Sequence, residues 1–454
     1  MLVILGNLLI SGPIFVGFQN LFQEDLDQTD RRLMTKNHTH EPMASAAHGL
    51  NVPDFERHPP GAILRDFEAL LDLIGEQGLP LTPGHLFAMK TLETINQRLA
   101  RPLELGLKRA QQKSYPHING LYLVLRASGL GLIDTASKKP RLHLDPVVLA
   151  SWCSLNAAER YFALLKAWWG RSSEEIIGER QTWGGDASMK IVTFFDRLRE
   201  TGELSYETAQ DADVLRYSPG LHHLALLELF GFVELRAMPP EHGKGWQAAR
   251  VALTAWGRAL LSDLADYMRL PWTLEAESAI PALSDVEFFD ALARFERWSR
   301  PLREQIANWR KELEIPEEHF QPGRHLIKVA LEKDCWRRIA VGGDIGLDTL
   351  AATILAAFDF DDTDHLYRFS YKDRFGRTLE IDHPDLAGES ECVADEVKVG
   401  DLALCEGMRI GFLFDFGDAW RFELLVERID VESASHELEI LEAHGTAPAQ
   451  YGGW

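Results

Sequence analysis

The sequence predicts an α+β chain in two parts: a helical N-terminal half holding tandem units of one design, and a C-terminal module with one helix on an antiparallel sheet. Three observations predict this. Apolar residues recur at helical spacing from residue 62 onward. A block of helices closed by two short strands returns about a hundred residues after its first appearance. From His325 the apolar period drops to two, the spacing of a strand with one buried face. At 454 residues the chain also exceeds the ~250–300 residues at which a single core stops growing, so several domains are expected.

Within Ala62 to Gln77, a helical stripe of Ile63, Phe67, Leu70, Leu71 and Ile74 is closed by Gly78 and Pro80. Helical patterns follow over Pro83–Leu99 and His117–Ser128. After Gly129, Leu130–Ile133 and Arg141–Leu144 read as strands around the polar turn Ser137-Lys138-Lys139-Pro140. Helix, helix and hairpin make the outline of a winged helix-turn-helix. The outline returns as His223-Leu224-Ala225-Leu226-Leu227 before Gly231-Phe232, then Arg250–Leu253, with a longer hairpin tip from Pro239 to Gly245. Asn156–Trp169 and Ala187–Thr201 are helical between the two, and Trp168-Trp169 reads as core. Ser284-Asp285-Val286-Glu287 has capping-box spacing and opens a charged helix that runs to Trp298, meets Pro301 and resumes toward Leu313. The expected divisions are an arm at 1–60, winged-helix-like units within 61–155 and 156–283, a helical connector at 284–322 and a module at 323–454.

Lys plus Arg total 47 against 69 Asp plus Glu, a net charge of -22 that repels nucleic acid and anionic lipid at long range. Any contact with duplex DNA must therefore be local. The segment 98–141 is the best place for one, with nine basic residues against Glu104 and Asp134 and with Lys138, Lys139 and Arg141 on its hairpin. The four cysteines form no C-x-x-C pair, which excludes a zinc ribbon and favours a reducing cytoplasm. Leu2 to Phe18 is apolar, but it falls short of the ~20 residues of a spanning helix, contains Pro13 and lacks a preceding Lys or Arg. No membrane association is expected, and translation starting at Met34 or Met43 would leave this run out altogether.

In the module, Leu326–Leu331, Cys335–Val341, His365–Phe369, Ile410–Phe414 and Trp420–Ile429 read as strands, and Leu347–Phe358 as the helix. Cys-Trp-Arg-Arg-Ile (335–339), Gly-Asp-Ile (343–345), Phe-Asp-Asp (360–362), His-Leu-Tyr-Arg-Phe (365–369), Phe-Asp-Phe-Gly-Asp-Ala-Trp (414–420), Glu-Arg-Ile (427–429) and Gly-Thr-Ala-Pro-Ala-Gln-Tyr (445–451) follow in that order. On these motifs the region from 326 to the end resembles the Ri-plasmid open-reading-frame-three family, also catalogued as a transposon passenger family under a resolvase-like name. The resemblance implies a module widespread in bacteria and archaea, found bare or fused to helical or zinc-binding segments, with no reaction attached. No serine- or tyrosine-recombinase signature accompanies it. The chain departs from the family at Lys333-Asp334-Cys335 and Phe358-Asp359-Phe360, and it lacks the cysteine segment that some members carry near their C-terminus, which argues against bound zinc.

Two sets of residues could carry chemistry. Asp359, Asp361, Asp362, Asp364 and His365 follow the helix, and Asp415 and Asp418 flank a turn; clustered carboxylates with an imidazole could hold a divalent cation and activate water. The competing reading is that these aspartates bond local backbone N–H groups in turns. Trp336-Arg337-Arg338 could stack on a nucleotide or phosphate, with Trp336 and Arg338 on one strand face and Arg337 on the other. Against it stands Trp336 as core, with one arginine paired to an acid such as Asp418. The module's 12 basic residues against 27 acidic ones favour a protein partner over DNA. The expected function is a non-enzymatic binding or adaptor role in mobile-element or transcriptional biology, with no cofactor and no metal. The alternative is a metal-dependent hydrolase or nuclease using the Asp and His set.

Overall fold

The computed structural model describes residues 52–450, apart from 135–138, 180–186, 270–290, 307, 362–364, 388–389, 391 and 432–436. The arm before residue 52, the capping box at Ser284–Glu287 and the turn residue Lys138 lie outside the described residues.

The first unit runs α1 (Ile63–Ile74), β1 (Leu79–Pro80), α2 (Met89–Arg98), α3 (Pro116–Ala127), β2 (Gly131–Asp134), β3 (Arg141–Leu144) and α4 (Pro146–Ser154). The predicted stripe of α1 is buried, and the helix closes at Gly75, whose φ of 50° suits a residue without a Cβ. After α5 (Ala157–Arg171), the second unit repeats the order as α6 (Ala187–Thr201), β4 (Glu203–Ser205), α7 (Ala209–Ala212), α8 (Leu221–Leu229), β5 (Val233–Ala237), β6 (Ala248–Leu253) and α9 (Ser262–Arg269). In both units the sheet is antiparallel with the third strand central, β1-β3-β2 and β4-β6-β5. The short strands β1 and β4 gave no sequence pattern because two or three residues are too few to show a period.

The two units share one core through α3 and α8. Every residue of α3 is buried, which no amphipathic helix on a single small domain could achieve. The close approach is made at Gly120: a Cβ there would stand 2.9 Å from Leu226 Cγ and 3.1 Å from the His222 carbonyl oxygen. Around this contact Trp168 and Trp169 are buried, as read from the sequence.

The stretch expected as a helical connector belongs instead to this body. α10 (Ala291–Gln305) continues through Pro301, and Phe295, Trp298 and Leu302 are buried in the same core as α5. That burial outweighs the one backbone hydrogen bond that the proline removes. Beyond Trp309 the chain does not resume as a helix, because its backbone donors are taken elsewhere. Glu159 Oε1 accepts from the N–H of Arg310 (2.9 Å) and Lys311 (2.6 Å), while Trp309 stacks on Phe162 at 3.9 Å. Glu312 is held by Lys166 at 2.6 Å and by Arg303.

The module is a seven-stranded antiparallel sheet made of β7 (Arg324–Glu332), β8 (Cys335–Gly342), β9 (Tyr367–Lys372), β10 (Thr378–Asp382), β11 (Arg409–Phe414), β12 (Trp420–Asp430) and β13 (Leu438–His444), in the order β10-β9-β11-β12-β7-β8-β13. One face packs on α11 (Leu347–Ala357), whose Leu347, Leu350, Ala351, Ile354 and Leu355 are buried. The two strands that sequence reading missed, β10 and β13, are the sheet edges. β13 is exposed from Glu439 to His444 and so carries no alternating signal.

The module meets the helical body through the tip of the β9–β10 hairpin. Asp373 Oδ1 accepts from the N–H groups of Phe375, Gly376 and Arg377 at 2.8 to 2.9 Å, which shapes the turn. Arg374 Nη2 then pairs at 2.7 Å with Asp145 Oδ2, while Asp145 Oδ1 caps α4. The N–H of Thr378 donates to Glu175 Oε2 at 2.9 Å, and the Arg171 guanidinium lies 5.4 Å from the Phe375 ring. No helix among the described residues is long and apolar enough to cross a membrane.

Two outcomes follow from this packing. Gly120→Leu should destabilise the chain by about 1–3 kcal/mol through overpacking, measured by urea unfolding. The intact chain should unfold in one transition, and Arg374→Ala with Phe375→Ala should split it into two by calorimetry, because the module then loses its hold on the body.

Candidate functional site

The expected alternation holds on β8, but the roles it was assigned change. Arg337 is the buried member: its Nε donates to the Ala357 carbonyl at 2.7 Å, its Nη1 to the His444 carbonyl at 3.0 Å, and its guanidinium lies 4.4 Å from the Phe358 ring. It ties the end of α11 and the end of β13 to the sheet. Trp336 is not core. It sits on the outer face, stacked on His444 at 5.3 Å with Lys328 Nζ 4.2 Å from its ring. Arg338 pairs with Glu427 at 2.7 Å and with Glu442, and not with Asp418. The reason is strand order: β8 lies between β7 and β13, whereas Asp418 belongs to the β11–β12 turn. With its arginines committed, this strand does not present a phosphate clamp.

The described members of the Asp and His set stand at one end of the sheet, and among them no three ligand atoms come together. His365 Nδ1 approaches Asp415 Oδ2 at 3.5 Å. Asp415 Oδ1 is spent on the N–H groups of Gly417 (2.9 Å) and Asp418 (3.3 Å), the turn role that was the competing reading. Asp361 is exposed, and its peptide exchanges two hydrogen bonds with the Gln450 amide at 2.6 and 2.9 Å. Asp418 is exposed, and Asp362 and Asp364 lie outside the described residues.

On the first hairpin, Lys139 is exposed, but Arg141 turns back to donate to the carbonyls of Gln77 (2.7 Å) and Gly78 (3.0 Å). Within the basic segment, Arg126 is buried and donates to the Gly131 carbonyl, and Arg101 pairs with Glu228 at 3.2 Å. Arg126 and Arg141 are thus taken up by local carbonyls, while Arg98, Arg101, Lys108, Arg109, Lys113 and Lys139 are exposed.

Among the described residues, one set of three metal-type ligands lies within 4.8 Å: the buried Glu174, His222 and His223. Sequence reading missed it. Its one signal is a histidine pair inside an apolar helix. Glu174 stands on a short turn (Glu174–Ile177), the histidines open α8, and Lys190 from α6 pairs with Glu174 Oε1 at 2.9 Å. The donor chemistry does not suit a cation. Trp168 Nε1 lies 3.0 Å from His223 Nδ1, and an indole N–H can only donate, so Nδ1 keeps its lone pair and the ring proton sits on Nε2. That Nε2–H faces Glu174 Oε1 at 3.6 Å and is not open to a metal. Burial alone would raise the Glu174 carboxyl, but the two histidines, whose Nε2 atoms lie 3.3 and 3.6 Å from its oxygens, outweigh it and hold it below the usual range. Burial, together with His222, lowers His223 to about 4 despite the nearby carboxylate. An ionised Glu174 paired with Lys190 beside a neutral His223 satisfies both directions.

The module carries a family match. Residues 325–453 match the plasmid pRiA4b ORF-3-like protein family. The match runs from the second residue of β7 past the end of β13, and so spans the seven-stranded sheet and α11. Among solved structures, a protein of unknown function from Methanosarcina mazei Go1 is similar at 21% identity and a TM-score of 0.24, over 30% of this chain and 76% of that one. The comparison with curated proteins gives no match.

The His223 geometry sets a pH dependence. A histidine at about 4 in the folded chain and near its ordinary 6.5 when unfolded takes up its proton preferentially in the unfolded state. Stability should therefore fall as pH drops from about 6.5 toward 4, at up to about 1.4 kcal/mol per pH unit. The Glu174 contribution, lowered in the folded state, is lost at still lower pH. His223→Gln keeps an oxygen for Trp168 and should flatten the slope between pH 7 and 5 in urea unfolding.

Proposed function

We propose that this chain is a non-enzymatic binding or adaptor protein, a paired winged-helix scaffold carrying an ORF-3-like module, and that it serves mobile-element or transcriptional biology in a bacterial cytoplasm. The element order of each unit, helix, strand, two helices and a two-stranded hairpin with the third strand central, supports the winged-helix reading. The observation that carries the adaptor role is the burial of α3 along its whole length against α8. In modules of this design the last helix before the hairpin is the one that enters the DNA major groove. Here both such helices face each other, so the pair forms a core where a nucleic-acid reader would need a free surface.

A partner protein also suits the charge, since the net -22 repels polyanions. The cysteines fit a reducing compartment: all four are unbridged, and Cys153 and Cys405 are exposed. The test is binding to duplex DNA at about 50 mM salt, where phosphate contacts are strongest. No binding is expected. Salt-sensitive binding that disappears when Lys138, Lys139 and Arg141 are changed to Glu would overturn the adaptor reading in favour of a nucleic-acid footprint.

A further inference from the structure

The ORF-3-like module has two hairpin tips built on the same local plan, and one of them shows how such a tip docks. At the first, Asp373 collects three backbone N–H groups and thrusts out Phe375, followed by Gly376 at φ +94°. That ring is met by Arg171 of the helical body, and the basic residues around it, Lys372 and Arg374, meet the acids Glu175 and Asp145. At the second, Asp415 collects the N–H groups of Gly417 and Asp418 and thrusts out Phe416, which is 44% exposed. β9 and β11 are antiparallel neighbours with Phe414 opposite Tyr367. The first tip follows the end of β9 and the second follows the end of β11, so the two lie at opposite ends of the sheet.

We propose that the far end of the module is a protein-docking tip, in which Phe416 enters an apolar socket on a partner protein whose surrounding surface is basic. This rests on the adaptor reading and adds the partner's chemistry. The sign of the partner follows from charge. Asp359, Asp361, Asp418, Glu332 and Asp334 lie at this end of the sheet with Lys333 and Arg421, a net acidic end, the reverse of the basic first tip and its acidic socket. Complementary charge at the rim steers encounter and selects partners, while a buried aromatic supplies the affinity. The turn is held by its own hydrogen bonds, so little ordering cost accompanies docking. Arg368 already stands 5.8 Å from one side of the Phe416 ring, and a partner's cation could take the other as Arg171 does at the first tip. A second copy of this chain, at net -22, and a nucleic acid are both repelled by the same carboxylates.

The experiment replaces Phe416 by the photo-crosslinker p-benzoylphenylalanine in the full chain in its native cells, with Tyr217, 79% exposed on the helical body, replaced in parallel. A discrete adduct at 416 that vanishes when Asp361→Lys and Asp418→Lys are added is the expected result. The captured protein, once purified, should bind Phe416→Ala at least about tenfold more weakly than the unaltered chain, with melting unchanged within about 2 °C. An adduct with a second copy of this chain, an adduct indifferent to the charge reversal, or an affinity for Phe416→Ala within about twofold of the unaltered chain would overturn the proposal. A partner captured at 217 and none at 416 overturns the tip and leaves the adaptor reading standing. Capture at neither position counts against both.

Discussion

The contact of α3 with α8 at Gly120 is the constraint on which the N-terminal body depends. Each unit by itself is a small three-stranded sheet with a few helices, too little surface to bury a helix on every side. Joined at these helices, the units bury residues 222–227 and Leu229 against Pro116-Ala127 and bring α5, with Trp168 and Trp169, over the seam. A side chain at residue 120 would hold the helices apart, and the carbonyl of His222 has no route of retreat without unwinding the start of α8. The same packing draws Glu174 into the interior, where Lys190 and the two histidines stabilise its charge.

The junction between the body and the module is made of committed polar groups and not of a loose tether. Trp309 and Glu312 strap the chain to α5, and the β9–β10 tip returns from the module to the body with Arg374 and Phe375. Asp145 serves both sides at once, capping α4 with one oxygen and holding Arg374 with the other. Such a joint transmits orientation, which suits a protein that presents one surface in a fixed relation to another.

Aspartates that read in the sequence as a candidate metal cluster have become an acidic end of the sheet. The difference lies in where their lone pairs go. Asp415 Oδ1 is taken up by its own turn, and Oδ2 faces His365. The buried triad that does bring three ligand-type residues together is closed to a cation by a donor, Trp168 Nε1, placed from another helix.

The sequence by itself determined the helical stripe of α1, the bounds of α6, the doubled order of helices and hairpins, and most of the module with its family resemblance. These are local or periodic properties, and periodicity records which face is buried. Opaque to it were the edge strands β10 and β13, the short strands β1 and β4, and the path after Trp309, because an exposed edge has no alternation and two or three residues have no period. The candidate site was legible only as an inventory. Whether Arg337 or Trp336 faces the core, whether Arg141 meets solvent or the carbonyl of Gln77, and whether a Glu174 distant in sequence meets His222 and His223 were decided by the tertiary structure. Each depends on which strand or helix lies alongside, and that is set by packing across tens of residues, a long-range quantity that no local pattern encodes.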